Sequence, residues 1–161
     1  MRALVQRVKE GGVYIFEENY KAEIGKGMVI LLGIKSDDNE QDMIFIADKC
    51  SSLRIFSRRD ALAKDENQKM NLSLKNIDGE VLVISQFTLY GNAQKGNRPS
   101  FTDAAKPEIA IPLYEMFITR MKSNLGEEKV KSGIFGAMME VKIINDGPVT
   151  ILIESKSQEK N

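Results

Sequence analysis

Three polar side chains lie within four residues at the end of one apolar alternation. Ser85, Gln86 and Thr88 surround Phe87 directly after residues 80–84, whose side chains alternate between two apolar faces. Two hydroxyls and an amide at a strand end could hold a polar substrate by hydrogen bonds, and a hydroxyl could act as a nucleophile if a base lay beside it. Taken alone, these residues fit better a strand terminus whose polar side chains satisfy the last backbone groups.

Gly147 and Pro148 are the centre of a second candidate, the segment 145–150. Asn-Asp-Gly tolerates positive φ and Pro148 has no N–H, so this corner presents carbonyl groups. The apolar runs 141–144 and 149–153 on either side predict a hairpin with the corner at its turn. The simpler interpretation is a tight turn without a ligand, and the pattern does not decide whether the Gly-Pro peptide bond is cis.

The composition limits the chemistry that is available. The chain contains no histidine, which removes Ser-His-Asp and Cys-His catalysis and every histidine-bearing metal site. The 23 basic and 23 acidic residues balance, which argues against bulk non-specific nucleic-acid binding but allows a local patch at Lys95 and Arg98. Cys50 is the single cysteine and lies on an apolar helical stripe, so we expect a buried thiol. We expect no metal and no cofactor.

The length and hydropathy predict one cytoplasmic domain without a membrane segment. A chain of 161 residues suits a single domain, and the longest apolar run, residues 28–34, is shorter than the ~20 residues that a membrane span needs. Residues 1–6 lack the apolar region of a secretory signal. We assign residues 1–155 to the domain and residues 156–161 to a polar tail, which we expect to be frayed.

The elements that must position the candidate residues follow from periodicity and turn signals. Gly11 and Gly12 are expected to end the first strand, and the predicted strands cover residues 2–8, 13–16, 20–24, 28–34, 53–56, 80–87, 138–144 and 149–154. Helices are predicted after the capping residues 36–39 and between Pro107 and Gly126, and exposed loops at 58–69, 91–98 and 131–136. The second helix is predicted to bury one apolar stripe, which comprises Ala110, Leu113, Tyr114, Phe117 and Met121. This order indicates an α+β domain with a curved, mostly antiparallel sheet or barrel and helices packed outside.

Four segments, placed on these elements, resemble the D-aminoacyl-tRNA deacylase family. They are Ser-Gln-Phe-Thr-Leu at 85–89, Arg-Pro-Ser-Phe at 98–101, Phe-Gly-Ala-Met at 135–138 and Asn-Asp-Gly-Pro-Val-Thr at 145–150. The resemblance extends to residues 1–8, 25–33, 53–56 and 69–71. It therefore covers essentially the whole chain, in order.

The resemblance implies a homodimeric hydrolase that cleaves the ester between a D-amino acid, or glycine, and the 3′-terminal adenosine of tRNA. In that family the Gly-Pro pair is cis and enters the active site of the partner subunit. Carried over to this sequence, the carbonyls of Gly147 and Pro148 would hold the α-amino group of the substrate and leave no space for an L side chain.

The resemblance also assigns the remaining site residues. The segment around the scissile ester and terminal adenosine would comprise Ser85, Gln86, Phe87 and Thr88, with Phe135 and Met138 nearby and Arg7 supporting the site. A chain without histidine is compatible with assistance by the 2′-hydroxyl of the tRNA, and Thr88 as a covalent nucleophile is the alternative. The alternative function is a catalytically inert barrel that binds RNA ends or a partner protein.

Overall fold

A computed structural model describes residues 1–57 and 69–155. Within these ranges the chain forms strands β1 to β6 at Arg2–Ile15, Tyr20–Ile24, Gly27–Gly33, Glu80–Ser85, Val130–Ser132 and Glu140–Glu154. Helices α1 and α2 span Glu40–Ser52 and Pro107–Leu125, and short 3₁₀ helices form at Lys75–Ile77, Phe87–Tyr90 and Glu127–Lys129. The predicted loop at 58–69 and tail at 156–161 fall, apart from residue 69, outside the described residues. Neither α-helix is long and apolar enough to cross a membrane.

The strands form one mixed sheet that nearly closes into a barrel. β1 pairs antiparallel with β2, β3 and β6, whereas β4 pairs parallel with both β3 and β5. The hydroxyl of Tyr20 on β2 donates to the carbonyl of Ser132 on β5 at 2.8 Å, which joins the far edges of the curved sheet. The predicted α+β class with outer helices is confirmed. The parallel pairings arise because α1 connects β3 to β4 and α2 connects β4 to β5, as crossover helices do.

β1 runs through the two glycines that were expected to end it. Gly11 and Gly12 pair with β2 and with β6, so residues 2–15 form a single strand. A Cβ added at Gly11 would lie 2.8 Å from Cγ2 of Val29. The prediction of a break is wrong because these glycines make room for side chains packed over the strand, which local pattern does not reveal.

The predicted final hairpin is also wrong. β6 is one strand of fifteen residues that pairs with β1 on both sides of residues 146–149, from Arg2–Glu154 to Tyr14–Glu140. Between the pairs Gln6–Thr150 and Val8–Asn145, residues 146–149 face Arg7 alone and loop out of the ladder. We call residues 146–149 the Gly-Pro bulge. A common partner strand prevents the two halves of β6 from folding onto each other.

Smaller differences concern element ends. Residues 53–56 form no strand, and Phe56 makes only an isolated bridge with Leu72. The predicted loop at 131–136 begins inside β5. Asn39, the last of the four predicted capping residues, caps α1, with its side chain accepting from the N–H groups of Gln41 and Asp42.

The buried stripes of both helices agree with the predictions, including Cys50 on α1. These helices cover one face of the sheet and form the larger core with Val5, Ile30 and Val83. A second core fills the barrel interior and comprises Val8, Val13, Ile15, Ala22, Ile24, Val29, Leu82 and Ile84. β1 contributes to both cores, and β4 passes between them to the candidate site.

Candidate active site

The segment after β4 turns sharply and is held by backbone hydrogen bonds. The N–H of Gln86 donates to the carbonyl of Leu32 at 2.8 Å, and the N–H of Gly91 donates to Thr88 at 2.9 Å. Between these bonds, Phe87–Tyr90 forms a 3₁₀ helix. The predicted strand 80–87 is too long, because β4 ends at Ser85.

This turn leaves hydrogen-bonding groups available to a substrate. The side-chain amide of Gln86 donates to Oγ1 of Thr88 at 2.5 Å, so the hydroxyl proton of Thr88 is free to donate elsewhere. Among residues 1–57 and 69–155, the backbone N–H groups of Phe87 and Thr88 have no acceptor. Two unpaired N–H groups on consecutive residues can stabilise an anionic oxygen.

A cavity of about 380 Å³ opens beside this turn. It brings together five of the predicted residues: Ser85, Gln86, Phe87, Phe135 and Met138. Thr88 does not line the cavity, but its Oγ1 is hydrogen-bonded to the side chain of Gln86, which does. The other nine lining residues are all small or apolar, and none was assigned to the site from the sequence: Leu32, Ile34, Ile84, Ala105, Ala110, Gly136, Ala137, Met139 and Val141.

Tyr114 fixes two walls of this cavity and was predicted only as an apolar helix residue. Its buried hydroxyl lies 3.0 Å from the carbonyl of Val83 on β4 and 3.1 Å from that of Gly133 before the Phe135 loop. Its ring packs against Phe135 with centroids 5.7 Å apart. Burial raises the pKa of Tyr114, so the phenol stays neutral and acts as a donor. The sequence signal for this role is the position of a tyrosine on an apolar helix stripe, because a buried tyrosine hydroxyl needs a hydrogen-bond partner.

Exposed apolar side chains surround the mouth of the cavity. Phe87 is 56% exposed and contacts Phe101, which is 39% exposed, in an edge-to-face pair with centroids 5.1 Å apart. Met138 on the opposite side is 84% exposed. Such exposure is unusual for large apolar residues and is typical of a surface that receives a ligand.

The Gly-Pro bulge lies elsewhere on the molecule. Gly147 and Pro148 are exposed, their peptide bond is cis, and Gly147 has φ +124°. Arg7 supports the bulge from below, because its Nε donates to the carbonyl of Asp146 at 3.2 Å and its Nη1 donates to the carbonyl of Ile55 at 2.7 Å. The side chain of Arg7 is therefore engaged with the bulge and does not line the cavity.

Strand register shows how far the bulge is from the cavity of its own subunit. Arg7 pairs with Met28, and Met28 pairs with Val81, four residues before Ser85. β6 and β4 are separated by β1 and β3, so the offset is roughly 14 Å across the strands and roughly 13 Å along them. Gly147 and Pro148 thus do not form a single site with Ser85 within one chain.

A larger cleft of about 930 Å³ contains none of the predicted site residues. Six of its seven charged groups form ion pairs, the Met1 ammonium with Asp38, Arg2 with Glu154, and Lys35 with Asp37, and the seventh is Asp103. Burial raises the pKa of Tyr90 in its wall. Most charged groups of the cleft are therefore engaged with one another, and the smaller cavity, which holds the predicted residues, is the better candidate for chemistry.

Titratable groups outside the cavity do not add a reactive centre. Burial raises the pKa of Cys50 from 9.0 to about 12, so its thiol stays protonated at neutral pH. Among residues 1–57 and 69–155, His, Cys, Asp and Glu side chains form no group of three that could hold a metal ion. The available chemistry is hydrogen bonding and positioning by the turn after β4.

The chain is similar to known proteins over nearly its whole length. The family model for D-Tyr-tRNA(Tyr) deacylase matches residues 4–154. D-aminoacyl-tRNA deacylases of Flavobacterium psychrophilum and Cytophaga hutchinsonii are 49% and 52% identical to the chain, and each match covers 99% of this chain and 100% of the relative.

Solved structures share the fold. One titled "c-Myc DNA Unwinding Element Binding Protein" is 36% identical, has a TM-score of 0.86 and is matched over 98% of this chain and 100% of its own. One titled as a "probable eukaryotic D-amino acid tRNA deacylase" has a TM-score of 0.81 over 95% and 98% of the two chains, and its 17% identity supports the fold alone. With the match over residues 4–154, the chain belongs to the D-Tyr-tRNA(Tyr) deacylase family.

Proposed function

We propose that this protein hydrolyses the ester between a D-amino acid, or glycine, and the 3′-terminal adenosine of tRNA. The observation that carries the proposal is the cavity lined by Ser85, Gln86 and Phe87, which adjoins the turn that holds the unpaired backbone N–H groups of Phe87 and Thr88. The family match over residues 4–154 supports the same reaction. Such activity removes mischarged D-amino acids from tRNA and belongs in the cytoplasm, where aminoacyl-tRNA is used.

The backbone N–H groups of Phe87 and Thr88 are the donors for the developing oxyanion. Water adds to the ester carbonyl carbon and loses a proton, and the carbonyl oxygen becomes negatively charged. The bond between that carbon and the 3′-oxygen of the ribose then breaks, and the 3′-oxygen takes up a proton, so that no net proton is gained or lost in these two steps. Fixed donors aimed at such an oxygen contribute up to ~10²–10³-fold each to the rate. The protein thus stabilises the transition state without a covalent intermediate.

Proton transfer depends on the substrate, because the chain contains no histidine. In this mechanism the 2′-hydroxyl of the terminal ribose assists the attack, and no metal or cofactor takes part. Thr88 Oγ1 accepts a hydrogen bond from Gln86, and among residues 1–57 and 69–155 no basic side chain is hydrogen-bonded to it. Thr88 therefore orients substrate rather than attacking it.

The apolar residues of the cavity bind the terminal nucleoside. Phe87, Phe135 and Met138 lie around its mouth and offer ring faces and a flexible thioether to adenine. Ser85 and Gln86 lie on the side of the scissile ester. Tyr114 keeps these walls at a fixed separation through its hydroxyl.

Stereoselectivity comes from a second copy of the chain. In the homodimer, the Gly-Pro bulge of one subunit enters the cavity of its partner, where the carbonyls of Gly147 and Pro148 accept hydrogen bonds from the substrate ammonium. Exposure of both residues and their distance from the cavity of their own subunit support this arrangement. A carbonyl wall excludes an L side chain by steric conflict and still admits glycine.

The first experiment charges one tRNA with D-tyrosine and, separately, with L-tyrosine, and measures deacylation by EDTA-treated protein. Rapid loss of the D-ester alone is expected, with heat-denatured protein as the control. Loss of neither ester, with tRNA still bound, would instead indicate an RNA-end binding module. Activity that returns only on adding a divalent metal would refute metal independence.

A further inference from the structure

A short hairpin projects next to the candidate active site. Asn92 and Ser100 form an antiparallel bridge with backbone hydrogen bonds of 2.8 and 2.9 Å, and the N–H of Gln94 donates to Oδ1 of Asn92 at 3.0 Å. Every residue from 92 to 100 is exposed. We call residues 92–100 the basic hairpin.

The basic hairpin carries two cations and no acid. Lys95 and Arg98 are both exposed, and within the described part of the chain neither forms an ion pair. By contrast, many cations of this electrically neutral chain are paired, such as Lys21 with Glu23 and Arg120 with Asp48. Two unpaired positive charges on one exposed hairpin favour an anionic ligand.

The base of the hairpin is attached to the mouth of the cavity. Ser100 leads directly into Phe101, whose ring packs edge-to-face on Phe87 at 5.1 Å. On the other limb, Gly91 lies so close that an added Cβ would be 3.0 Å from Cε1 of Phe101. A ligand that leaves the cavity past Phe87 therefore meets the aromatic pair and then the basic hairpin.

Exposed aromatic rings followed by unpaired cations are the combination that binds single-stranded nucleic acid. We propose that the basic hairpin binds the nucleotides directly 5′ of the terminal adenosine, with Lys95 and Arg98 neutralising their phosphates. This inference rests on the proposed function, and it specifies how an electrically neutral protein holds a polyanionic substrate. Affinity comes from a local contact rather than from the overall charge.

The test compares two substrates that differ only in these nucleotides. One is D-tyrosyl-tRNA and the other is 3′-O-D-tyrosyl-adenosine, which has no phosphate. The variant Lys95→Gln/Arg98→Gln is compared with Lys49→Gln/Lys75→Gln, which removes two exposed, unpaired cations. Lys75 precedes β4, so it lies at the opposite end of that strand from Ser85.

We expect the hairpin variant to lose about tenfold in kcat/KM on the tRNA substrate, and the control variant to lose none. The slope of log kcat/KM against log salt should become shallower by about 1.4, because each phosphate contact on a single strand contributes ~0.7. Cleavage of the adenosine ester should be unchanged in both variants.

The outcomes separate this inference from the proposed function. If the unmodified protein cleaves both D-esters but the hairpin variant loses nothing, or loses equally on both substrates, the hairpin inference is overturned and the activity stands. An equal loss in the control variant would also overturn it, since the effect would then be general electrostatics. If the unmodified protein cleaves neither ester, both the proposed function and the hairpin inference are refuted.

Discussion

Replacing Gly147 with alanine tests whether the Gly-Pro bulge selects the substrate. Gly147 has φ +124°, a backbone conformation that L residues rarely adopt. A Cβ there would lie 2.9 Å from Cγ2 of Val149, 3.0 Å from Nη2 of Arg7 and 3.1 Å from the backbone N of Val149. The methyl group cannot be accommodated unless the bulge moves relative to Arg7.

The expected cost has two parts. Forcing alanine into this conformation lowers the free energy of unfolding by about 1–3 kcal/mol. The contacts at 2.9–3.1 Å also displace the carbonyls of the bulge by several tenths of an ångström. Because a misplacement of ~1 Å costs about a hundredfold in an active site, we expect the ratio of kcat/KM for D- over L-tyrosyl-tRNA to fall by about tenfold or more.

Gly126→Ala is the matched control. Gly126 has φ +115° at the end of α2, so alanine meets a similar backbone penalty, but the nearest atoms to its Cβ belong to the flexible carboxylate of Glu128. Both variants should lose stability in urea unfolding, and only Gly147→Ala should lose selectivity. A D/L ratio that stays within twofold of the unmodified protein in Gly147→Ala would refute the role of the bulge.

Mixing variants tests whether the bulge acts on the partner. Gln86→Ala damages the cavity and Gly147→Ala damages the bulge, so in a mixed dimer one site has an intact cavity and an intact bulge. Random exchange makes about half of the dimers mixed, which restores about one quarter of the selective sites. No gain in selective activity above the sum of the separate variants would place the bulge within its own subunit.

Three further predictions address individual side chains. Thr88→Ala should lower kcat on D-tyrosyl-tRNA by no more than about tenfold, because its backbone N–H remains; a loss of ~10⁴-fold or more would indicate a nucleophile. Tyr114→Phe should lower the urea unfolding free energy by about 1–2 kcal/mol, because the buried carbonyl of Gly133 loses its hydroxyl donor; an unchanged midpoint would contradict this. Burial raises the pKa of Cys50 from 9.0 to about 12, so iodoacetamide at pH 8 should alkylate this thiol only after unfolding. The free energy of unfolding should also decrease as pH rises from about 9 to about 12, because the thiol of the unfolded chain ionises at lower pH than that of the folded chain.

Much of the fold could be predicted from local pattern. The stripe of α2 from Ala110 to Met121 and the burial of Cys50 follow from helical periodicity, and both agree with the structure. The position of Gln86 near the C-terminal end of a strand also follows from alternation, although the predicted strand ran to Phe87 and β4 ends at Ser85. These features depend on neighbours in sequence, which is why sequence analysis found them.

The errors share one cause, which is contact between distant segments. Residues 145–150 carry turn signals that suit a hairpin and a bulge equally, and only the pairing of both halves with β1 decides between them. Gly11 looks like a strand breaker unless Val29 is known to pack over it. Tyr114 acquires its positioning role from Val83 and Gly133, which come from two other elements.

The ladder between β1 and β6 also governs how the chain can be made. Arg2 pairs with Glu154, so β1 leaves the ribosome long before its longest partner, β6, has been synthesised. Until then β1 can pair with β2 and β3 only, and its other edge stays open to unintended partners. A partial chain therefore has two incomplete cores, and the barrel can be completed only after synthesis has passed the Gly-Pro bulge.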